Sequence, residues 1–145
     1  MPNWASINTS FLTVVLCPPV ICQTIKVSLK NDMLEHQSQR QGTYQRSSEI
    51  NGRPSWISES QAIWYMPKWK KWAIGNLSHI GTRLRGISGS SDDKLELPFD
   101  IKSWEYWIGS SFKHEIINED ISVQCIVPGG DIQFLASIKK HVFYI

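Results

Sequence analysis

Polar and apolar residues alternate along several short segments of the chain. In residues 23–29, QTIKVSL, every second position is aliphatic: Ile25, Val27 and Leu29. A period of two places these side chains on one face of an extended strand, because successive residues of a strand point to opposite sides. The segment therefore predicts a half-buried strand. The polar residues 30–42 that follow predict a long loop, with at most one turn of helix around Met33–His36.

Aromatic and β-branched segments continue this pattern between turn signals. Residues 61–66 and 71–75 predict two strands, joined into a hairpin by Pro67–Lys70. The dipeptide Asn51-Gly52 is a strong signal for a tight turn. About seven to nine short strands are expected at intervals of about 8–12 residues, without a convincing amphipathic helix. This spacing predicts an all-β fold, a small antiparallel β-sandwich or barrel-like sheet.

The same alternation predicts which side chains are buried. Ile63 and Tyr65 fall on one face of their strand, and Trp64 and Met66 fall on the other. A buried tryptophan removes roughly 200 Å² of surface from water, so tryptophans at strand positions are expected in the core. This expectation covers Trp56, Trp64, Trp72 and Trp104.

Trp69 falls outside the alternation. It lies at the predicted hairpin tip between Lys68 and Lys70. An exposed aromatic ring beside cations predicts a surface for a partner, either a sugar ring or a pocket on a protein. The alternative is that Trp69 folds back over the edge of the sheet. Tyr106 and Trp107 are further candidates for an exposed binding surface.

Composition and charge narrow the classes of function. Seven of the 145 residues are tryptophan, and the net charge is +2, from 15 Lys and Arg against 13 Asp and Glu. Nucleic-acid-binding domains usually carry a higher pI and a concentrated basic face. Basic residues here form only two small groups, within 68–71 and 83–85. No nucleic-acid partner is therefore expected, and the lysines are interpreted as part of a solvated loop.

Motifs for catalysis, cofactors and metals are absent from the sequence. The chain lacks the glycine-rich loops of nucleotide-binding proteins, the paired histidines of zinc proteases and the spacing of a serine nucleophile. Its three cysteines and four histidines show no metal-binding spacing, so neither a metal nor a cofactor is expected. A hydrolase that uses two carboxylates is the alternative. Its acids would be drawn from Asp92, Asp93, Glu105, Glu115, Glu119 and Asp120.

The two ends of the chain differ from the region between them. Residues 11–16 form an apolar run that is too short for a transmembrane span. Residues 1–21 are interpreted as a signal peptide or a disordered lead, and an ordinary strand or an inaccurate chain start is the alternative. The β-domain is expected to span residues 22–125. Residues 126–145 are interpreted as a peripheral C-terminal segment, either helix or strand.

Four segments stand out together: GTYQRSSEINGRPSW (42–56), QAIWYMPKWKKWAIGNLSHIG (61–81), KSWEYW (102–107) and DISVQC (120–125). They resemble a tryptophan-rich module that recurs in predicted secreted or cell-surface proteins of invertebrates. The matching positions are Gly42, Tyr44, Asn51, Gly52, Arg53, Pro54, Trp56, Trp64, Tyr65, Trp72, Ile74, Gly75, Gly81, Trp104, Trp107 and Cys125. The module has no established activity, so the resemblance implies a β-fold and a secreted or cell-surface location rather than a chemistry.

The resemblance also implies a disulfide. Cys22 stands just before the first predicted strand and Cys125 lies in the last one, so antiparallel pairing of these strands would bring the two cysteines together. The alternative is three reduced cysteines, including Cys17, in a cytosolic protein. Two sequons, at Asn8 and Asn76, agree with a secreted glycoprotein.

These features predict a non-catalytic extracellular binding module. Its ligand is expected to be a glycan or an extracellular protein, bound by the exposed tip of the hairpin. The alternatives are the acidic-pair hydrolase and a structural module that packs into a larger assembly. Arg53 in the Asn-Gly-Arg-Pro turn is expected to stack on Trp56 or Tyr65 rather than to bind a ligand.

Overall fold

The alternating segments form one antiparallel β-sheet. The computed structural model describes residues 22–91, 96–115 and 119–127. Its strands are β1 (Thr24–Leu29), β2 (Gly42–Arg46), β3 (Trp56–Ser58), β4 (Gln61–Met66), β5 (Lys71–Asn76), β6 (Ile87–Ser90), β7 (Trp104–Trp107), β8 (Phe112–Glu115) and β9 (Ile121–Ile126). The described residues also form one α-helix, α1 (Asn31–Gln37), and three 3-10 helices, Ser38–Arg40, Leu77–His79 and Pro98–Asp100.

The strands follow one another across the sheet as a meander from β1 to β8, and β9 returns to pair with β1. Six residue pairs join β1 to β9, from Thr24–Ile126 to Leu29–Ile121. The sheet curls into half of a barrel and so has an inner and an outer face. The predicted all-β fold, an antiparallel barrel-like sheet with little helix, is confirmed.

Rows of paired residues cross the sheet and fill its inner face. Two rows are buried along their whole length: Ile63, Ile74, Ile87 and Tyr106, and Tyr65, Trp72, Gly89 and Trp104. A Cβ at Gly89 would lie 2.4 Å from Cγ2 of Ile101 and 2.9 Å from Cε3 of Trp104. The absence of a side chain at Gly89 therefore makes room for the indole of Trp104.

The outer face of β4 and β5 carries a second apolar cluster. It contains Trp64, Ala62, Met66 and Ala73, packed against Ile50, Ile57 and Ile80. The predicted division of β4 into two faces is correct, and both faces are buried. The four tryptophans expected in the core, Trp56, Trp64, Trp72 and Trp104, are all at most 2% exposed.

The polar segment after β1 corrects a prediction. Residues 31–37 form a helix and residues 38–40 continue it as a 3-10 helix, where a long loop with at most one turn of helix was expected. The helix has little amphipathic pattern of its own: Met33 and Gln37 are its buried residues. Contacts with β1 and β7 stabilise it instead, because most helical stability in proteins comes from tertiary packing.

Both predicted turns are present. Asn51 (φ 56°) and Gly52 (φ 76°) form the tight turn, and backbone hydrogen bonds join Ile50 and Arg53 across it. The guanidinium of Arg53 lies 3.9 Å from the ring centre of Tyr65, which confirms the stacking interpretation. Residues 67–70 connect β4 to β5 as the predicted hairpin tip.

The implied disulfide between Cys22 and Cys125 is present. It joins the residue stretch before β1 to β9 across a sequence separation of 103. The interpretations of residues 1–21 and 128–145, and with them Asn8 and Cys17, lie outside the described residues. Within the described ranges, the only α-helix is far shorter than a membrane crossing requires.

Candidate functional site

The two tryptophans that are exposed in the described part of the chain lie at opposite ends of the sheet. Trp69 is 42% exposed at the hairpin tip, beyond Lys71, and Trp107 is 39% exposed at the end of β7. Trp107 N donates to Gly86 O, and Gly86 N donates to Ile74 O, so Trp107 is level with the far end of β5. Since a strand rises about 3.3 Å per residue, the backbones of the two tryptophans are roughly 15 Å apart along the strand direction. The two side chains therefore start from separate parts of the surface.

Tyr106 is not part of either surface, which corrects its prediction as an exposed binding residue. Its side chain points to the inner face and is 0% exposed. Its hydroxyl donates to Oδ2 of Asp32 at 2.6 Å. Burial and this hydrogen bond raise the pKa of Tyr106 to about 12. Tyr106 therefore joins β7 to α1 and has no surface for a ligand.

The hairpin tip is exposed, as predicted. Lys68, Trp69 and Lys70 are all exposed, and Nζ of Lys68 lies 5.3 Å from the ring centre of Trp69. Backbone hydrogen bonds from Trp69 N to Met66 O and from Lys70 N to Pro67 O close the turn. The tip offers one partly exposed indole face beside two cations.

The surface around Trp107 is concave. We call it the arginine–aromatic groove: it has a volume of about 420 Å³ and lies where α1, the loop before β6 and the β7–β8 turn meet. Its lining residues are Gln37, Arg40, His79, Arg83, Leu84, Arg85, Gly86, Trp107 and Phe112. The groove size is in the range of pockets that bind small ligands or one or two sugar rings.

Apolar side chains form one wall of the groove. The rings of Trp107 and Phe112 meet edge to face, with centroids 5.2 Å apart. Leu84 is 52% exposed on the neighbouring loop. The amide of Gln37 donates to the backbone carbonyl of Trp107 at 2.7 Å, so α1 holds the end of β7. The indole of Trp107 is therefore a positioned, partly exposed flat surface.

Arg85 is a fixed part of the same wall. Its guanidinium lies 4.1 Å from the ring centre of Phe112 and donates to Glu105 at 3.2 Å. Glu105 also accepts hydrogen bonds from Lys71 and Ser88. Burial raises the pKa of the Glu105 carboxyl, but the hydrogen bonds and the charge of Lys71 outweigh burial, so the pKa lies below its usual value. The charge of Arg85 is thus compensated within the protein.

Arg40 has a different environment. It is only 9% exposed, and its guanidinium donates to the side-chain oxygens of Gln37, Gln61 and Asn76. No carboxylate of the described residues forms an ion pair with it. Burial lowers the pKa of Arg40. A Cβ at Gly86 would lie 2.5 Å from Nε of Arg40, so the glycine lets the guanidinium pack against the backbone.

Two further polar residues line the groove. The side chain of Arg83 is exposed and makes no hydrogen bond within the described residues. Nδ1 of His79 is buried and has no hydrogen-bond partner in the same part of the chain. None of the described residues that line the groove is acidic. The groove therefore combines an aromatic wall with positive charge.

Some of the remaining predicted site residues lie within the described part of the chain, and others lie outside it. Asn76 ends β5 and is half-buried, with its Oδ1 accepting from Arg40 at 2.6 Å, and its glycosylation stays a prediction. Asp92 and Asp93 of the hydrolase alternative lie outside the described residues. The lowered pKa of Glu105 is opposite to what a general acid needs at neutral pH. In the ranges that are described, no three His, Cys, Asp or Glu side chains are placed to hold a metal.

Most residues that line the groove were not predicted as site residues from the sequence. Arg83 and Arg85 were noted only as a small basic group, and they lie in the loop before β6, which begins at Ile87. No sequence pattern marked Arg40 as a site residue, because it lies in a polar segment that was predicted to be a loop. Its role becomes visible only when α1 packs against the end of the sheet.

Comparison with known proteins does not assign the chain to a family. No family model matches the chain, and no curated protein or solved structure is significantly similar to it. The resemblance to the tryptophan-rich module therefore stays a prediction.

Proposed function

We propose that this protein is a non-catalytic extracellular binding module whose ligand is a glycan held in the arginine–aromatic groove. The observation that carries the proposal is the ring of Trp107, partly exposed on the wall of a concave groove that arginine side chains also line. The disulfide between Cys22 and Cys125 supports an oxidising compartment, since such bonds are rare in cytosolic proteins.

The groove suits a sugar better than a purely apolar ligand. One face of a pyranose ring is lined by C–H groups and can pack on an indole, while its hydroxyls need hydrogen-bond partners. Trp107 supplies the flat surface, and Arg83 and His79 supply polar groups at the rim. The hairpin tip also carries an exposed aromatic ring, that of Trp69, beside Lys68.

A glycan array followed by titration of tryptophan fluorescence tests the proposal. The Trp107→Ala variant should bind an array hit at least about tenfold more weakly, as is usual for a central aromatic contact. The matched control is Trp69→Ala, which removes the other exposed tryptophan at the opposite end of the sheet. It should bind within about twofold of the parent protein.

Two results would contradict the proposal. If no glycan binds, the glycan-binding function is wrong. If Trp69→Ala abolishes binding while Trp107→Ala leaves it unchanged, the site is the hairpin tip and not the groove.

A further inference from the structure

We infer that the glycan recognised by the groove carries an anionic group, a carboxylate or a sulfate, that pairs with Arg40 and Arg83. The inference rests on the proposed function, since it specifies the class of sugar that occupies the same groove. Its basis is positive charge in the groove that no carboxylate of the described residues compensates.

Arg40 is the central observation. It is a nearly buried cation whose hydrogen-bond partners, Gln37, Gln61 and Asn76, are all neutral amides. Burial of a charge without an opposite charge is costly. The bonds involve Nε and Nη1, which leaves Nη2 without a hydrogen bond among the described residues. An anion in the groove would supply the missing counter-charge.

The other arginines extend the argument. Arg85 has its own counter-ion in Glu105, at 3.2 Å, whereas Arg83 has no ion pair in the described part of the chain. No described residue of the lining is acidic, so two arginine charges in the groove have no counter-ion among the described residues. Guanidinium groups bind the planar carboxylate, and also sulfate, through paired hydrogen bonds, so either anion fits the chemistry.

The test compares matched sugars. The probes are a hexuronate-containing hexasaccharide, the same hexasaccharide with its carboxyls reduced to alcohols, and the reduced form after O-sulfation, together with every neutral and acidic glycan that binds on an array. We expect acidic sugars to bind at least about tenfold more tightly than their neutral counterparts. The hexuronate and sulfated probes show which anion is preferred.

A matched pair of variants separates a local charge contact from a general charge effect. Arg83→Glu and Lys68→Glu make the same change of net charge at exposed residues on opposite ends of the sheet. Arg83→Glu should weaken acidic-sugar binding at least about tenfold more than it weakens neutral-sugar binding, while Lys68→Glu should leave both within about twofold. Arg40→Lys, which keeps the charge but loses the paired donors, should also weaken acidic-sugar binding if it folds.

The outcomes distinguish the inference from the proposed function. Equal affinity for acidic and neutral sugars, or hits that are all neutral, would overturn the inference and leave the glycan-binding function standing. An equal loss in Arg83→Glu and Lys68→Glu would overturn it as well, because binding would then follow net charge. If no sugar of either kind binds, the proposed function fails and the inference fails with it.

Discussion

Reduction of the disulfide should remove a large share of the stability of this fold. Cys22 precedes β1 and Cys125 lies in β9, so the bond closes almost the whole described sheet into one covalent loop. The indole of Trp56 donates to the carbonyl of Cys22 at 2.8 Å, so the residue is held by the core as well as by the bond. In the unfolded chain, the bond is the only long-range constraint between these segments.

The magnitude follows from the sequence separation of 103. On the chain-entropy model, closing a loop of about 100 residues lowers the entropy of the unfolded chain. This raises the free energy of unfolding by about 4.7 kcal/mol at 25 °C. Domains are typically stable by about 5–15 kcal/mol, so the reduced protein should remain folded only with a small margin. The six β1–β9 residue pairs do not depend on the covalent bond, so its circular dichroism should still show β-structure.

The assay is urea unfolding of the oxidised and the reduced protein, followed by tryptophan fluorescence and extrapolated to zero denaturant. We expect the free energy of unfolding to fall by about 3–5 kcal/mol on reduction. The control is the Cys22→Ala/Cys125→Ala double variant, which should resemble the reduced protein and should not respond to reductant. A difference below about 1 kcal/mol would refute the loop-closure reasoning, and peptide mapping that paired either cysteine with Cys17 would refute the connectivity.

Two other predictions concern the core and the outer face. Trp72→Ala should lower the free energy of unfolding by about 3–5 kcal/mol, because removal of a fully buried ring leaves a cavity. Trp69→Ala should change it by less than about 0.5 kcal/mol, because that ring is exposed. Similar losses for the two variants in urea unfolding would contradict the assignment of Trp69 to the surface. Glu105→Gln should cost about 1–3 kcal/mol near pH 7, because it leaves Lys71 and Arg85 without their anion. Since the folded pKa of Glu105 lies below its usual value of 4.5, its ionised form contributes stability above that pH and loses it as the pH falls through the folded pKa. The gap between Glu105→Gln and the parent should therefore narrow under acid conditions, and a gap that stayed constant with pH would rule out the ion pairs as its cause.

Local pattern was enough to predict most of the sheet. The alternation around Ile63 and Tyr65 gave the correct faces, and the Asn51-Gly52 dipeptide gave the correct turn. These features depend only on residues that are neighbours in sequence. The two-residue period of a strand already determines which face each side chain occupies. The helix α1 was not predictable in the same way, because Met33 is its only buried apolar residue and its remaining support comes from β1 and β7.

The groove shows why the candidate site was harder to predict than the fold. Gln37 and the Trp107 carbonyl to which it donates are 70 residues apart in sequence, and they meet only because the sheet curls and α1 packs against its end. In the sequence, Trp69 is a more conspicuous binding candidate than Trp107, because lysines flank it on both sides. In the structure, Trp107 lies in a groove together with the nearly buried cation Arg40, and Gln37 of α1 holds its backbone carbonyl. The polar residues that looked like a solvated loop are thus the ones that convert an exposed aromatic ring into a groove.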